Sequence, residues 1–248
     1  MGGVERSKTE TTIGEPMTTK SRPIIMSSDS MRAILDGRKT QTRRVMKPQP
    51  ICYGENNAKP CYSDFFKVRE YADECYVYCE KCGTACQYSV SGQDTIRHIK
   101  CPFGAPGDRL WVREKWGVTV DCETIYFADF IPNVHDVSIF RWRSPMFMLR
   151  KSSRLTLEIT NVRCERVQEI NNVDAILEGI EIVAFSESEN ETFYSSKPNF
   201  HLHAEPRNAY ADRWNEINGK RKGFSWKDNP WVFVLEFKKI EGGDNEVL

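Results

Sequence analysis

The chain has 248 residues, enough for one large domain or two small ones, and its 40% hydrophobic and 11% aromatic content can build a core. Lys plus Arg (35) equal Asp plus Glu (35), so net charge supplies no pull on polyanions and any such pull has to come from local arrangement. No stretch approaches the roughly 20 apolar residues of a membrane span, and the N-terminus fits neither a signal peptide nor a myristoylation site, so a cytoplasmic protein without an anchor is expected.

Residues 1–22 are polar without an apolar period and read as a disordered leader, and 241–248 read as a solvated tail. Order is expected to begin with a strand at Pro23-Ile24-Ile25-Met26. Ser27-Ser28-Asp29 then offers the cap of a helix that carries Met31, Ile34 and Leu35 on one face, and Gly37 ends it. From Thr40 to Val45 the chain alternates as a strand does, but with mostly polar side chains, which suits a strand beside a cleft. Residues 51–103 break the pattern with cysteines, Gly and scattered aromatics and read as an insertion.

The turn Gly104-Ala105-Pro106-Gly107-Asp108 leads into a strand, Arg109-Leu110-Trp111-Val112-Arg113. A second clean strand is predicted at Leu155–Thr160. A helix capped by Asn171 follows, with Val173, Ile176, Leu177 and Ile180 at helical spacing and Gly179 near its end. A third helix is predicted from Pro206 to about Ile217, with Tyr210, Trp214 and Ile217 on one stripe. The last strand, Trp231–Phe237, is apolar on both faces and should be central. Such an order of elements describes an α+β or mostly-β barrel fold.

Nine cysteines in a reducing compartment are expected to be thiols or metal ligands. Cys79-x2-Cys82 followed after 15 residues by His98-x2-Cys101 has the spacing of a tetrahedral structural zinc site, with Cys86 and Cys75 competing for the fourth position. A closed set of four ligands would hold the insertion together and leave no open position for water. Charge is arranged in two clusters. Residues 23–47 hold Arg32, Arg38, Lys39, Arg43, Arg44 and Lys47 against two acids, and residues 141–154 hold Arg141, Arg143, Arg150, Lys151 and Arg154 with no acid, interleaved with Trp142 and Phe147. Cations for phosphate and aromatic faces for unpaired bases suit single-stranded RNA; the alternative is a solvated basic face.

Three separated motifs now stand in order: Asp36-Gly37-Arg38-Lys39-Thr40-Gln41-Thr42-Arg43-Arg44, then Pro106-Gly107-Asp108-x-Leu110-x-Val112, then Glu178 on a later helix, before Asn229-Pro230-Trp231-Val232 and the closing strand. This resembles the ASCH (activating signal cointegrator homology) domain, and more closely its long bacteriophage and prophage form, over roughly residues 23–240 with insertions at about 51–103 and 183–205. The resemblance implies a PUA-like β-barrel with short flanking helices, and RNA or a modified nucleoside as partner. A compact bacterial member of the family removes the acyl group of N4-acetylcytidine using Lys, Thr and Glu, which fall here on Lys39, Thr42 and Glu178.

A threonine hydroxyl needs a base to become a nucleophile, and a desolvated lysine of lowered pKa can be that base. Lys39 and Thr42 fill these roles, while Glu178 is left to orient the lysine, bind the cytosine edge or shuttle a proton. Residues 39 and 42 point to opposite faces of a regular strand, so they converge only if Lys39 lies in the turn after Gly37 or a bulge intervenes. Otherwise Lys39, Arg38, Arg43 and Arg44 are phosphate or solvent contacts and Thr42 a strand threonine. The rivals to an amidohydrolase are a non-catalytic RNA-binding regulator, a ribonuclease and a phage assembly factor.

Overall fold

In a computed structural model, the described residues are 19–50, 66–71, 74–79, 101–119, 122–130, 141–186, 191–195 and 201–240, with backbone alone at 66–71, 74–79 and 191. In chain order these form β1 (Ser21–Ile25), α1 (Ser28–Leu35), β2 (Gln41–Val45), β3 (Phe66–Tyr71), β4 (Glu74–Cys79), β5 (Arg109–Arg113), β6 (Trp116–Val118) and β7 (Thr124–Tyr126). Then come β8 (Thr156–Arg166), α2 (Asn172–Leu177), β9 (Glu181–Ser186), β10 (Glu191–Ser195), α3 (Pro206–Asn218) and β11 (Trp231–Lys239). The fold is mixed α+β with a sheet at its centre. Among the described residues no helix is long and apolar enough to cross a membrane.

The central sheet has five strands in the order β1-β5-β8-β11-β2; β1 and β5 are parallel and the other neighbours antiparallel. Among the described residues β1 and β2 remain its edges, and no ladder closes it into a barrel. Instead, a side chain spans from one edge to the other, where Arg44 of β2 donates to the carbonyl of Ile25 in β1 at 2.6 Å. Both edges line one cavity. Smaller two-stranded pairs are β3/β4, β6/β7 and β9/β10.

The apolar run of β11 is explained by its two faces. Val232 and Val234 pack with Ala175, Ile180, Ala209, Tyr210 and Trp214 under α2 and α3. Leu235 and Phe237, at the alternate positions of the strand, pack on the opposite side with Leu157, Ile159, Leu110, Met31 and Ile34. A strand buried on both faces reads as a continuous hydrophobic run.

Several predicted boundaries move for physical reasons. The strand expected at Leu155–Thr160 continues to Arg166, because Arg163 and Glu165, polar in sequence, are held in ion pairs. In α1, Met31 and Ile34 are buried, but Leu35 is exposed and Ala33 takes its place. In α2, Val173 and Ile176 face outward while Ala175, and Ile180 just past the helix, carry the packing. The described residues of 183–205, the expected second insertion, include parts of the paired strands β9 and β10 and a bridge from Tyr194 to His203.

Candidate functional site

The site is built where two helix ends meet. Helix α1, capped by Ser27, stops at Asp36; Gly37 adopts a left-handed φ of 76°, and the backbone N–H groups of both Arg38 and Lys39 then donate to the carbonyl of Ala33. Lys39 therefore lies in the turn before β2 and escapes strand alternation, so it and Thr42 line the same cavity. Helix α2, capped by Asn171, ends on Glu178 and the left-handed Gly179. A Cβ on Gly179 would sit 3.2 Å from the Cβ of Ala33 and 3.5 Å from that of Lys39, so only glycine admits this approach without a shift. Thr40 locks the two ends together, its N–H donating to the carbonyl of Leu177.

Lys39 and Glu178 form the centre. Their side chains are 4% and 5% exposed, and Lys39 Nζ donates to Glu178 Oε2 at 2.6 Å and to the Glu178 carbonyl at 2.7 Å. Burial lowers the Lys39 pKa, opposed by the Glu178 carboxylate and reinforced by the positive charges of Arg44 and Arg213. The carbonyl at the C-terminal end of α2 also favours a cation there. Glu178 Oε1 accepts from the backbone N–H of Arg43 at 2.6 Å and from its guanidinium at 3.3 Å, which fixes the carboxylate. Thr42 is buried in the same wall, but Lys39 bonds Glu178 and not the Thr42 hydroxyl. The cavity has a volume of about 620 Å³, suited to a small molecule.

The arginines divide into two groups. Arg43, expected at phosphate, has a side chain that is 0% exposed and a guanidinium committed to Glu165, Asp174 and Glu178. Burial pulls its pKa down, but Glu178, Tyr210 and Glu165 hold it above the usual value. Arg154, expected in the same role, forks onto the buried Glu114 and onto Asp129. Arg43 is an internal strut, while Arg154, itself exposed, ties Glu114 to the surface carboxylate of Asp129. Arg38 pairs with Asp36 and Glu181. Arg44 lines the cavity, holds Ile25, lies 6.0 Å over the Phe103 ring and keeps a buried Nε without a hydrogen-bond partner. Arg141, Arg143 and Arg150 are exposed.

Sequence reasoning missed the acids that organise this wall. Asp174 accepts from Gln41, Arg43 and Arg163, and Glu165 from Arg43 and Arg163. The signal was present in the polar residues alternating along β2 and β8, which had no partner until the sheet order was known. Tyr210 and Arg213 of α3 also line the cavity; in sequence Tyr210 is only part of a helix stripe, and its ring lies 5.9 Å from the Arg43 guanidinium.

Of the expected zinc ligands, Cys82, His98 and the competing Cys86 lie outside the described residues, and Cys79 and Cys75 are described by backbone alone. Cys101 is half-buried against the core. Among the described residues no group of His, Cys, Asp and Glu could hold a metal.

With this geometry in view, the chain matches no protein-family model, no curated protein and no solved structure. The site alone bears on what the chain does.

Proposed function

We propose that the chain is an ASCH-type protein of PUA-like descent that takes a modified nucleoside, free or in RNA, into the cavity between the sheet edges, and hydrolyses the amide of an N4-acylated cytidine there. The observation that carries this is the buried Lys39–Glu178 pair, with Thr42, on the wall of a cavity of nucleoside size. A neutral lysine amine has two N–H donors and one lone pair. Both donors are accounted for by Glu178, through its carboxylate and its carbonyl, which leaves the lone pair to act as a base.

The Thr42 hydroxyl attacks the acyl carbon while its proton passes to Lys39. As the tetrahedral intermediate collapses, the C–N4 bond breaks, the proton returns to N4, and cytidine leaves with the acyl group held as an ester on Thr42. Water, deprotonated by Lys39, then releases the carboxylic acid and restores the hydroxyl. The positive charges of Arg44 and Arg213, close enough to influence Lys39, supply the potential in which the oxyanion forms. A structural zinc in the 51–103 insertion, on Cys79, Cys82, His98 and Cys101, is a separate proposal with no part in this chemistry.

The second reading is a binder without turnover. It is favoured by the fact that Lys39 bonds Glu178 and not Thr42. Incubating pure protein with acylated nucleosides and with labelled RNA separates the two: release of cytidine marks the enzyme, and salt-sensitive retention without release marks the binder.

A further inference from the structure

Beside the cavity runs a second concavity, an open groove of about 440 Å³ lined by Arg141, Trp142, Arg143, Ser144 and Phe147. The two meet in one turn. Pro145 lines the main cavity, while Ser144 before it and Phe147 after it line the groove. Ser144 caps this turn, accepting from the N–H of Met146.

The groove has a composition of its own. Trp142 is held edge-on by Phe127 and Phe130 at centroid distances of 5.0 and 5.6 Å, so its ring is fixed. Phe147 is 71% exposed and Met146 63%, large apolar groups left in water beside it. Arg141 and Arg143 line the groove and Arg150 and Lys151 follow in the next turn of the chain, all exposed, none with a carboxylate partner among the described residues. A fixed ring, an exposed ring and unneutralised cations match the stacking faces and phosphates of an unpaired strand. An acidic protein segment would satisfy the cations but would leave the two rings without a planar partner.

We infer that the groove holds the nucleotides flanking the one in the cavity, so that the physiological substrate is a modified base within single-stranded RNA and not the free nucleoside. This rests on the nucleoside reading of the cavity. Phe147 and Trp142 stack on the neighbouring base, and Arg141, Arg143 and Arg150 meet the phosphates that follow.

The test compares N4-acetylcytidine with a single-stranded RNA oligonucleotide carrying one N4-acetylcytidine, using the full chain, Phe147→Ser, and the combined Arg143→Ala and Arg150→Ala variant. Phe147 and both arginines are exposed, so the variants should fold. The expected result is turnover of the oligonucleotide at least about tenfold more efficient than that of the nucleoside, with either variant erasing most of the difference, in line with the loss of one stacked base. Equal efficiency on the two substrates overturns the inference while leaving the hydrolase intact. If neither substrate is turned over, the hydrolase fails, and the groove is judged by fluorescence anisotropy of the same oligonucleotide. Weakening of about tenfold in Phe147→Ser supports the groove; binding unchanged in both variants, or absent in the full chain, overturns it and leaves the patch to a protein partner.

Discussion

The proposed chemistry rests on Lys39, whose proton affinity burial and Glu178 pull in opposite directions, with burial ahead. Turnover should therefore rise with pH to a plateau, through a midpoint below the usual lysine value of 10.5, as the amine loses its proton. A pH-rate profile with no rise at any pH at which the protein stays folded would remove Lys39 from the role of base. The same lowering has a consequence for stability. Between the lowered folded value and the unfolded one, the unfolded chain binds the extra proton, so stability rises with pH across that window, and Lys39→Met should flatten the rise in denaturation curves. Gly179 sets the distance between the two helix ends. Gly179→Ala has to hold a side chain at a φ of 96° and against Ala33, and should cost about 1–3 kcal/mol by chemical denaturation.

At the scale of elements, strand β2 shows why a polar sequence folds into an interior. Gln41 and Arg43 are buried because Asp174, Glu165 and Glu178 wait on β8 and on α2 and its end. Arg43→Met leaves these carboxylates without their shared cation and should destabilise the fold by about 3–5 kcal/mol, whereas an exposed arginine such as Arg150 should cost almost nothing. Burial pushes Asp174 up, and the bonds from Gln41, Arg43 and Arg163 more than offset it, so its folded pKa lies below the ordinary 3.8. Its contribution is present above that value and fades as pH falls through the lower one, so Asp174→Asn should blunt acid unfolding there. The helices α1 and α3 and strand β11 were legible in sequence, because caps, glycine stops and apolar periods are local. The extension of β8 and the outward turn of Val173 and Ile176 were not, because only the sheet order decides which polar residues find partners and which apolar ones face water. The place of Lys39 was half legible. Gly37 announced a turn, but the contact with Glu178 joins residues far apart in the chain.

Over the whole molecule, neutral net charge conceals a divided arrangement: arginines such as Arg43 and Arg154 are paired with acids, while those along the groove have no carboxylate partner among the described residues. If RNA lies there, removing Arg141, Arg143 and Arg150 together should weaken binding and reduce the slope of log affinity against log salt by about 0.7 for each phosphate that is no longer neutralised. An unchanged slope would make these arginines a solvated face. For the insertion, metal analysis of protein purified without chelator should give about one zinc per chain, absent from Cys82→Ser, and a metal-free protein would end that proposal. Hydrolysis at this site is read directly by chromatographic detection of cytidine from N4-acetylcytidine, with wild-type protein beside Lys39→Met and Thr42→Val. The expected result is stoichiometric release of cytidine and acetate by the wild type and none above background by either variant, with both variants folded. Release by Thr42→Val at the wild-type rate, or no release by the wild type, would contradict it.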